Sequence, residues 1–440
     1  MCVSWRMQPA ELRAAERRLT RFLGNLTPLL GRAERQTHAG EYVRGLLLDG
    51  ERKSIAPLTE RVPGADVQAL RQFVNQSPWE WAPLQAALTT LMLDRLLPEA
   101  VFIIDETSFP KKGDHSVGVA RQYCGALGKT ANCQVAVSVH LGTDTACLPL
   151  TWGLYLPQAW IDDPVRRTAA RVPEAITYAT KNQLALDALD RVRGWGVGAR
   201  VVLADAGYGT SHEFRAALSA RGLPYCVQVA PSVKGWTSAP GPTTPPPYQG
   251  RGRPRRRPAD AALPASADLA ALAATLPPAA WRMITWRPGT KGPLRSRFAQ
   301  TAFWPAHGVR HGGPLPAAPV QLLIEWPRDE AAPIKYWLAD VPGETLGLRR
   351  AVRLAKGRWR IEQDYRELKD ELGLDHFEGR SWPGWHHHVT LASMAYAFLV
   401  LETLRGKKNS KRDTPRRTAR TASATDSTGG LVPDVSAVLA

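Results

Sequence analysis

Cysteine is scarce in the 440-residue sequence, with residues only at Cys2, Cys124, Cys133, Cys147 and Cys226. Their number is odd and their spacing contains no CxxC pair and no Cys/His zinc motif, which argues against a disulfide framework or a structural zinc site. The opening stretch MCVSWRMQPAELRAAERR lacks the apolar core of a signal peptide. The longest apolar run, 389–404, is too short and too mixed to span a bilayer. These absences predict a reduced, soluble, cytoplasmic protein without a membrane partner.

Acidic residues are also few, since 57 Lys and Arg face 40 Asp and Glu and leave a net charge of +17. Two stretches supply 12 of the 17 excess charges: 405–420 has eight bases and one acid, and 249–258 has five arginines and no acid. Both are rich in polar residues or punctuated by Pro and Gly, which is typical of unfolded segments. We expect them to act as flexible arms that grip nucleic-acid phosphates, with Arg255, Arg256 and Arg257 in the first arm. Such a protein would associate with the nucleoid.

Composition and periodicity divide the chain into five predicted segments. Residues 1–97 are predicted to be helical, with one helix at 66–76 and another that begins at the capping box Ser77-Pro78-Trp79-Glu80. Helix pairs of this kind either bind DNA or simply pack, and the sequence leaves both open. Residues 98–230 alternate strands and helices, 231–343 is predicted to be an inserted, mostly β subdomain, 344–404 is predicted to be helical, and 405–440 to be a disordered tail. The predicted fold class is α/β, with a mixed sheet and flanking helices.

Two acids stand where apolar strands are predicted to end. Asp105 follows AVFII and Asp205 follows ARVVLA. An acid at that position is either a turn former or a ligand group at the carboxyl edge of the sheet. If the two strands are neighbours, the carboxylates are close enough to share a cation, and a site made of oxygen ligands suits Mg²⁺ or Mn²⁺. A third acid would complete a two-metal site for phosphoryl transfer, with ions about 4 Å apart.

The third acid is sought in RWRIEQDYRELK, residues 358–369, which contains Glu362 and Glu367. Ile361, Tyr365, Leu368 and Leu372 recur at helical spacing and define the buried face. Glu362 adjoins that face on a stripe with Arg358 and Lys369, whereas Glu367 lies about 140° away. Position therefore favours Glu362 as the metal ligand and assigns Glu367 to the solvated surface.

Two other groups of polar residues are candidate functional sites, and the sequence supports a specific role for them less strongly. His386, His387 and His388 are consecutive and cannot all face one ion, so we expect a helix start or a DNA contact rather than metal ligation. Lys111 and Lys112 follow Asp105 closely, and they are either phosphate contacts or solvated loop lysines.

Three blocks, FIIDETSFPKKG, VLADAGYG and RWRIEQDYRELKDELGL, together resemble the DDE transposases of bacterial insertion sequences. The resemblance is to the insertion sequence four superfamily and, within it, to the insertion sequence seven-oh-one branch. It implies a ribonuclease H-like core, two Mg²⁺ ions (Mn²⁺ is an alternative) held by Asp105, Asp205 and Glu362, cutting at terminal inverted repeats, and joining of 3′ hydroxyl ends to target DNA. It also implies a dimer when two ends are paired.

The same resemblance implies roles for residues around Glu362. Arg358 and Lys369 match the Arg and Lys of the superfamily signature and would contact DNA phosphates, and Trp359 would stack on a base. The Tyr of that signature is replaced by Ala355.

Two other functions remain open at this point. One is a transposase-derived DNA-binding protein that is no longer catalytic, for which the unusual end TDSTGGLVPDVSAVLA gives some support. The other is a structure-selective nuclease with the same fold.

Overall fold

The computed structural model describes residues 9–96, 99–241, 265–289, 292–307, 309, 318–344 and 346–412, with the backbone alone for 407–412. The chain forms two compact units. The first unit contains Met1–Gly198 and Trp359–Ala440, and the second contains Ala199–Arg358.

Helices and strands follow one another in groups along the chain. The helices are α1 Pro9–Leu26, α2 Ala33–Leu47, α3 Ile55–Thr59, α4 Val67–Asn75, α5 Trp81–Leu96, α6 Gln158–Ile161, α7 Pro164–Ala169, α8 Lys181–Gly194, α9 Ala206–Gly209, α10 His212–Ala220, α11 Leu269–Ala274, α12 Leu348–Gly357, α13 Trp359–Asp370 and α14 Trp382–Arg412. The strands are β1 Val101–Pro110, β2 Ala120–Cys124, β3 Lys129–Gly142, β4 Cys147–Leu154, β5 Val202–Ala204, β6 Tyr225–Val229, β7 Lys234–Trp236, β8 Ala267–Asp268, β9 Arg282–Gly289, β10 Gly292–Pro305, β11 Val320–Trp326 and β12 Lys335–Asp340.

In the first unit, β3 is the central strand. It pairs antiparallel with β1 along one edge and with β2 and β4 along the other. The apolar residues of β1 and β3 are almost completely buried, because helices cover the sheet. Helix α14 packs against α2, α4, α5 and β4, and α13 packs against β1, β3 and β4.

In the second unit, β5 and β6 are parallel. The other pairings are antiparallel and lead from β6 through β12, β11 and β10, which also pairs with β7 and β9. Helix α12 packs against β5, β6, β9, β10 and β11. The predicted α/β class, with a mixed sheet and flanking helices, is confirmed.

The predicted start of α5 at the Ser77–Glu80 capping box is wrong. The helix begins at Trp81, because Trp79 turns back onto α4 instead of continuing into α5. Its indole N–H donates to the carbonyl of Phe73 at 3.2 Å, and its ring stacks on those of Phe73 and His387. The sequence contains the capping motif, but the tertiary contacts of Trp79 determine where α5 begins.

The segment predicted to be helical at 344–404 is not one continuous helix, since α12 ends at Gly357 and α13 starts at Trp359. Arg358 between them keeps helical backbone angles, with φ −59° and ψ −29°. The interruption coincides with the boundary between the two units.

The last helix continues further than predicted. Helix α14 ends at Arg412, so residues 405–412 are helical rather than part of a disordered tail, and 413–440 lie outside the described residues. Within the described part of the chain, one stretch, Trp382–Gly406, is long and apolar enough for a membrane span, and 67% of its most apolar window is buried within the fold. Core helices of soluble proteins commonly meet the same criteria.

Candidate active site

Asp105 lies in the middle of β1 and not at its end. The residues that follow it continue to pair with β3 as far as Pro110, because Thr107, Ser108 and Phe109 are also buried. The Asp105 side chain is 8% exposed, and its Oδ1 accepts a hydrogen bond from the Glu106 amide at 2.9 Å. The prediction of a strand-end acid was therefore wrong in position, although the acid is on a core strand as expected.

Helix α13 contacts the sheet next to Asp105. Ser138 is the register partner of Asp105 on β3, and the Ser138 hydroxyl is 2.7 Å from the hydroxyl of Tyr365 on α13. Burial, with the nearby charge of Asp105, raises the pKa of Tyr365 well above its usual value, so its hydroxyl stays protonated. Glu362 is exposed and precedes Tyr365 by three residues, which makes the two side chains neighbours on the helix surface. Asp105 and the helix that bears Glu362 are thus brought together.

A second group of polar contacts lies on the buried side of α13. Asp364 is 4% exposed, and its two carboxylate oxygens accept from His140 Nδ1 at 2.8 Å and from the Tyr396 hydroxyl at 3.0 Å. The same hydroxyl is 2.8 Å from Glu367 Oε2, and Gln363 Nε2 donates to Glu367 Oε1 at 2.8 Å. The assignment of Glu367 to the solvated surface was therefore wrong, because α14 lies against that side of α13.

Three residues of this region are of types that can bind a metal ion. The donor atoms of His140, Cys147 and Asp364 lie within 4.8 Å of one another, and all three residues are buried. Burial raises the pKa of the Cys147 thiol well above its usual value. Sequence spacing did not suggest this group, because His140 and Cys147 come from adjacent strands and Asp364 from a distant helix.

The lysines predicted to contact phosphate have structural partners. Lys369 Nζ donates to the carbonyl of Ser108 at 2.9 Å, which ties the end of α13 to β1. Lys111 Nζ donates to the carbonyl of Phe377 at 2.6 Å, and burial lowers its pKa to about 8. Lys112 is exposed. Phosphate contact by these residues stays a prediction.

Asp205 belongs to the second unit, where it caps a helix. It follows β5 directly, as predicted, and its Oδ1 accepts from the amides of Gly207 and Tyr208 at 2.9 and 3.4 Å. The glycine at 209 is required by packing, since a Cβ there would lie 2.1 Å from the Gln228 carbonyl oxygen on β6. The half-buried carboxylate is thus fixed in direction by a rigid turn between β5 and β6.

The remaining predicted DNA-contact residues fall in three places. Arg358 ends the second unit and is half-buried. Trp359 begins α13 in the first unit, and the Arg360 guanidinium lies 5.2 Å from its ring centre. Arg255, Arg256 and Arg257 lie outside the described residues.

The three consecutive histidines lie inside the first unit. His386, His387 and His388 are at most 4% exposed, in the first turns of α14. The predicted helix start is confirmed, while a DNA contact is excluded by burial. His386 stacks on Trp81. His388 donates through Nε2 to the carbonyl of Leu374 and accepts at Nδ1 from the Tyr42 hydroxyl.

Comparison with known proteins places this acid-bearing α/β chain in a family. It matches the family described as DDE superfamily endonuclease over residues 25–293, and the chain belongs to that family. The matched span includes Asp105 and Asp205 and ends before Glu362.

Two individual proteins are similar to this chain. The chain is 32% identical over 187 residues to a probable transposase for insertion sequence element IS701 from Microchaete diplosiphon. This alignment covers 42% of the chain and 46% of the relative's length. Among solved structures, the piggyBac transposase in a synaptic complex with hairpin DNA aligns with 88% of this chain and 74% of its own, at 11% identity and a TM-score of 0.38.

Proposed function

We propose that the chain is a DNA transposase that binds terminal inverted repeats, cuts the ends of its element and joins the 3′ hydroxyls to target DNA. The observation that supports this most strongly is the contact of Tyr365 with Ser138, because it sets the helix of Glu362 beside the strand of Asp105. In an endonuclease family, two such carboxylates are candidates for the reaction centre.

The chemistry of these side chains fits divalent cations. Asp105 and Glu362 offer carboxylate oxygens, and such hard ligands suit Mg²⁺ or Mn²⁺. Together with Asp205, assigned from the order of the three motifs, they would hold two ions, within a core that we propose to be ribonuclease H-like. When bound, such ions stabilise the charge on attacking and leaving oxygens in phosphoryl transfer.

The chain's own residues would prepare the site in two ways. The rigid backbone of β1 and the capped turn at Asp205 hold their carboxylates in fixed directions, so little reorganisation is needed during reaction. The half-buried Arg358 and the exposed Lys112 would contact DNA phosphates, which positions the scissile bond and makes affinity dependent on salt.

Substitution of Glu362 tests the proposal. Glu362→Gln keeps the size of the side chain but removes its charge, so we expect cleavage of a labelled end fragment in Mg²⁺ to fall by about a thousandfold or more. Asp370→Asn is a matched control, since Asp370 is an exposed acid on the same helix and should leave the rate unchanged.

Three results would contradict the proposal. Full cleavage and joining by Glu362→Gln would remove Glu362 from the site. Binding of the end fragment without any metal-dependent cleavage by the unmodified protein would indicate a DNA-binding protein that has lost catalysis. Cleavage of branched DNA without preference for inverted repeats would indicate a structure-selective nuclease.

The same function implies a place and an assembly state. We propose that the protein acts in the cytoplasm at the nucleoid, without a membrane partner, and that it forms a dimer when it pairs two double-stranded ends. Sedimentation of the protein with and without end DNA tests the dimer, since only the DNA-bound form should have twice the protein mass.

A further inference from the structure

We propose that His140, Asp364 and Tyr396 form a positioning cluster, which fixes the rotation and register of α13 so that Glu362 stands beside Asp105. This inference rests on the proposed function, because it assigns the cluster a role in that same site. The three residues would act through Glu362 and would touch neither DNA nor metal.

Helix α13 has little apolar surface with which to hold its position. Its buried residues are Ile361, Asp364, Tyr365 and Leu368. Hydrophobic contact is not directional, so two aliphatic side chains alone tolerate small rotations and slides. Hydrogen bonds require defined distances and angles, and the two polar members of the buried face supply them.

The Asp364 carboxylate is held from two directions. His140 on β3 donates to Oδ2 at 2.8 Å. Tyr396 on α14 shares its one hydroxyl proton between Asp364 Oδ1 at 3.0 Å and Glu367 Oε2 at 2.8 Å, so this hydroxyl contacts two residues of α13. These residues are only 0%, 3% and 4% exposed for His140, Tyr396 and Asp364. Because water cannot replace a lost partner there, displacement of α13 would leave buried polar atoms without hydrogen bonds.

A second bond makes the register unique. Ser138 and His140 are two residues apart on β3 and so face the same side of the sheet, while their partners Tyr365 and Asp364 are adjacent on α13. A shift of α13 by one residue would rotate it by about 100° and move it by about 1.5 Å. Both bonds would then break, and Glu362 would turn with the helix away from the strand of Asp105.

A metal ion at His140, Cys147 and Asp364 is the competing explanation. The distance from His140 Nδ1 to Asp364 Oδ2 is 2.8 Å, which is the length of a charge-assisted hydrogen bond. Two nitrogen or oxygen ligands of one tetrahedral zinc ion lie about 3.3 Å apart, given metal–ligand bonds of about 2 Å. The geometry therefore favours the hydrogen bond.

The test compares two buried polar networks of the first unit. Asp364→Val removes the charge and hydrogen bonds of Asp364, and Asp364→Asn keeps an acceptor for Tyr396 and gains a donor for the other His140 tautomer. Gln85→Leu is the control, because the hydrogen bonds of buried Gln85 with Thr390 and Thr151, at 2.9 and 3.0 Å, do not involve α13. Each protein is measured for Mn²⁺ affinity by electron paramagnetic resonance without DNA, for kcat and KM of end cleavage, and for thermal midpoint.

We expect Asp364→Val to weaken Mn²⁺ binding about tenfold and to lower kcat by about 10–100-fold, with the KM for DNA unchanged. Asp364→Asn should keep most of the Mn²⁺ affinity and most of the kcat of the unmodified protein. Gln85→Leu should lower the thermal midpoint as Asp364→Val does, while Mn²⁺ affinity and kcat stay near those of the unmodified protein. If Asp364→Val does not fold, Tyr396→Phe is measured instead, because it removes a single hydroxyl. It should weaken Mn²⁺ binding and lower kcat by smaller factors, again with the KM for DNA unchanged.

Equal losses in Asp364→Val and Gln85→Leu, or none in either, would overturn the positioning role while cleavage by the unmodified protein left the proposed function intact. Stoichiometric zinc in the purified protein, lost from Asp364→Val, would overturn it in favour of a metal centre. An unmodified protein that neither binds Mn²⁺ nor cuts DNA would overturn the proposed function itself, and this inference with it.

Discussion

The two units differ in what they bury. The first has many buried polar side chains, among them Asp105, His140, Asp364 and the three histidines of α14, whereas the buried polar or charged residues in the described part of the second unit are Arg215, Ser296 and Glu325. Helices α13 and α12 follow the same division. Helix α13 buries Asp364 and Tyr365 beside two aliphatic residues, Ile361 and Leu368. Helix α12 buries Ala351, Val352, Leu354 and Ala355.

This difference indicates where the molecule needs a defined geometry. Apolar packing stabilises a helix without strictly fixing its rotation, while buried hydrogen bonds are costly unless a single arrangement satisfies them. A helix that supplies a reacting carboxylate has to be held to within a fraction of an ångström. The polar interior of the first unit is therefore suited to its proposed role, and the following experiments probe the contrast.

The largest effect is expected at the ion pair between Lys356 of α12 and Glu325 of β11. Lys356 Nζ bonds to Glu325 Oε2 and lies 4.6 Å from the centre of the Trp286 ring. Glu325→Gln leaves the half-buried lysine without its counter-ion, so we expect a loss of about 3 kcal/mol in the free energy of unfolding of the second unit, measured in urea.

The double change of Glu325→Leu with Lys356→Met should restore most of that stability, because it removes both charges. If the double change is no more stable than Glu325→Gln, the ion pair and not the apolar face holds α12, and the contrast with α13 fails.

Acid should weaken the first unit through His388. Burial, with Lys111 and His376 nearby, lowers the pKa of His388 from 6.5 to about 4, so the unfolded chain binds a proton more readily than the folded one between these values. The contribution of neutral His388 to the free energy of unfolding is therefore fully present above pH 6.5. It falls as the pH drops through 6.5 towards 4, by about 2 kcal/mol at pH 5.

Unfolding in urea at pH 7 and pH 5 measures this loss, and His388→Gln should reduce it. His387 is excluded from the prediction. Its two nitrogens lie 2.7 and 2.8 Å from the carbonyl oxygens of Val74 and Trp79. A protonated ring could donate to both oxygens, which raises the pKa of His387, whereas burial lowers it. An unchanged pH dependence in His388→Gln would show that another group causes the loss.

A smaller effect is expected from Ser138→Ala, which leaves the buried Tyr365 hydroxyl without its partner and should cost about 1–2 kcal/mol. Leu354→Met in α12 conserves volume and should cost less than about 1.5 kcal/mol. End cleavage should slow more in Ser138→Ala than in Leu354→Met at equal stability loss. Equal rates would show that the contact beside Asp105 does not set the geometry of the site.

The sequence predicted the buried apolar residues of α13 better than the polar contacts of this helix. The recurrence of Ile361, Tyr365, Leu368 and Leu372 identified the buried face of α13, and each of these residues is at most 8% exposed. The same pattern could not show that Asp364 and Glu367 meet Tyr396, because that contact depends on where α14 lies. Hydrophobic periodicity reports how an element faces the core, whereas polar partners between distant segments are decided by the tertiary structure.

The smallest effect on stability, and the clearest on DNA binding, is expected at the end of α14. Five of the eight bases in 405–420 lie within this helix, and 413–440 contains three bases and three acids. We therefore predict that the helix end, which adds a localised positive charge, binds phosphate and that the neutral remainder does not. Replacing Lys407, Lys408, Lys411 and Arg412 with Gln should lower the slope of log affinity against log salt by up to about 3–4, and deletion of 413–440 should leave the slope unchanged. The reverse pattern, measured by fluorescence anisotropy on end DNA, would return the role to the tail.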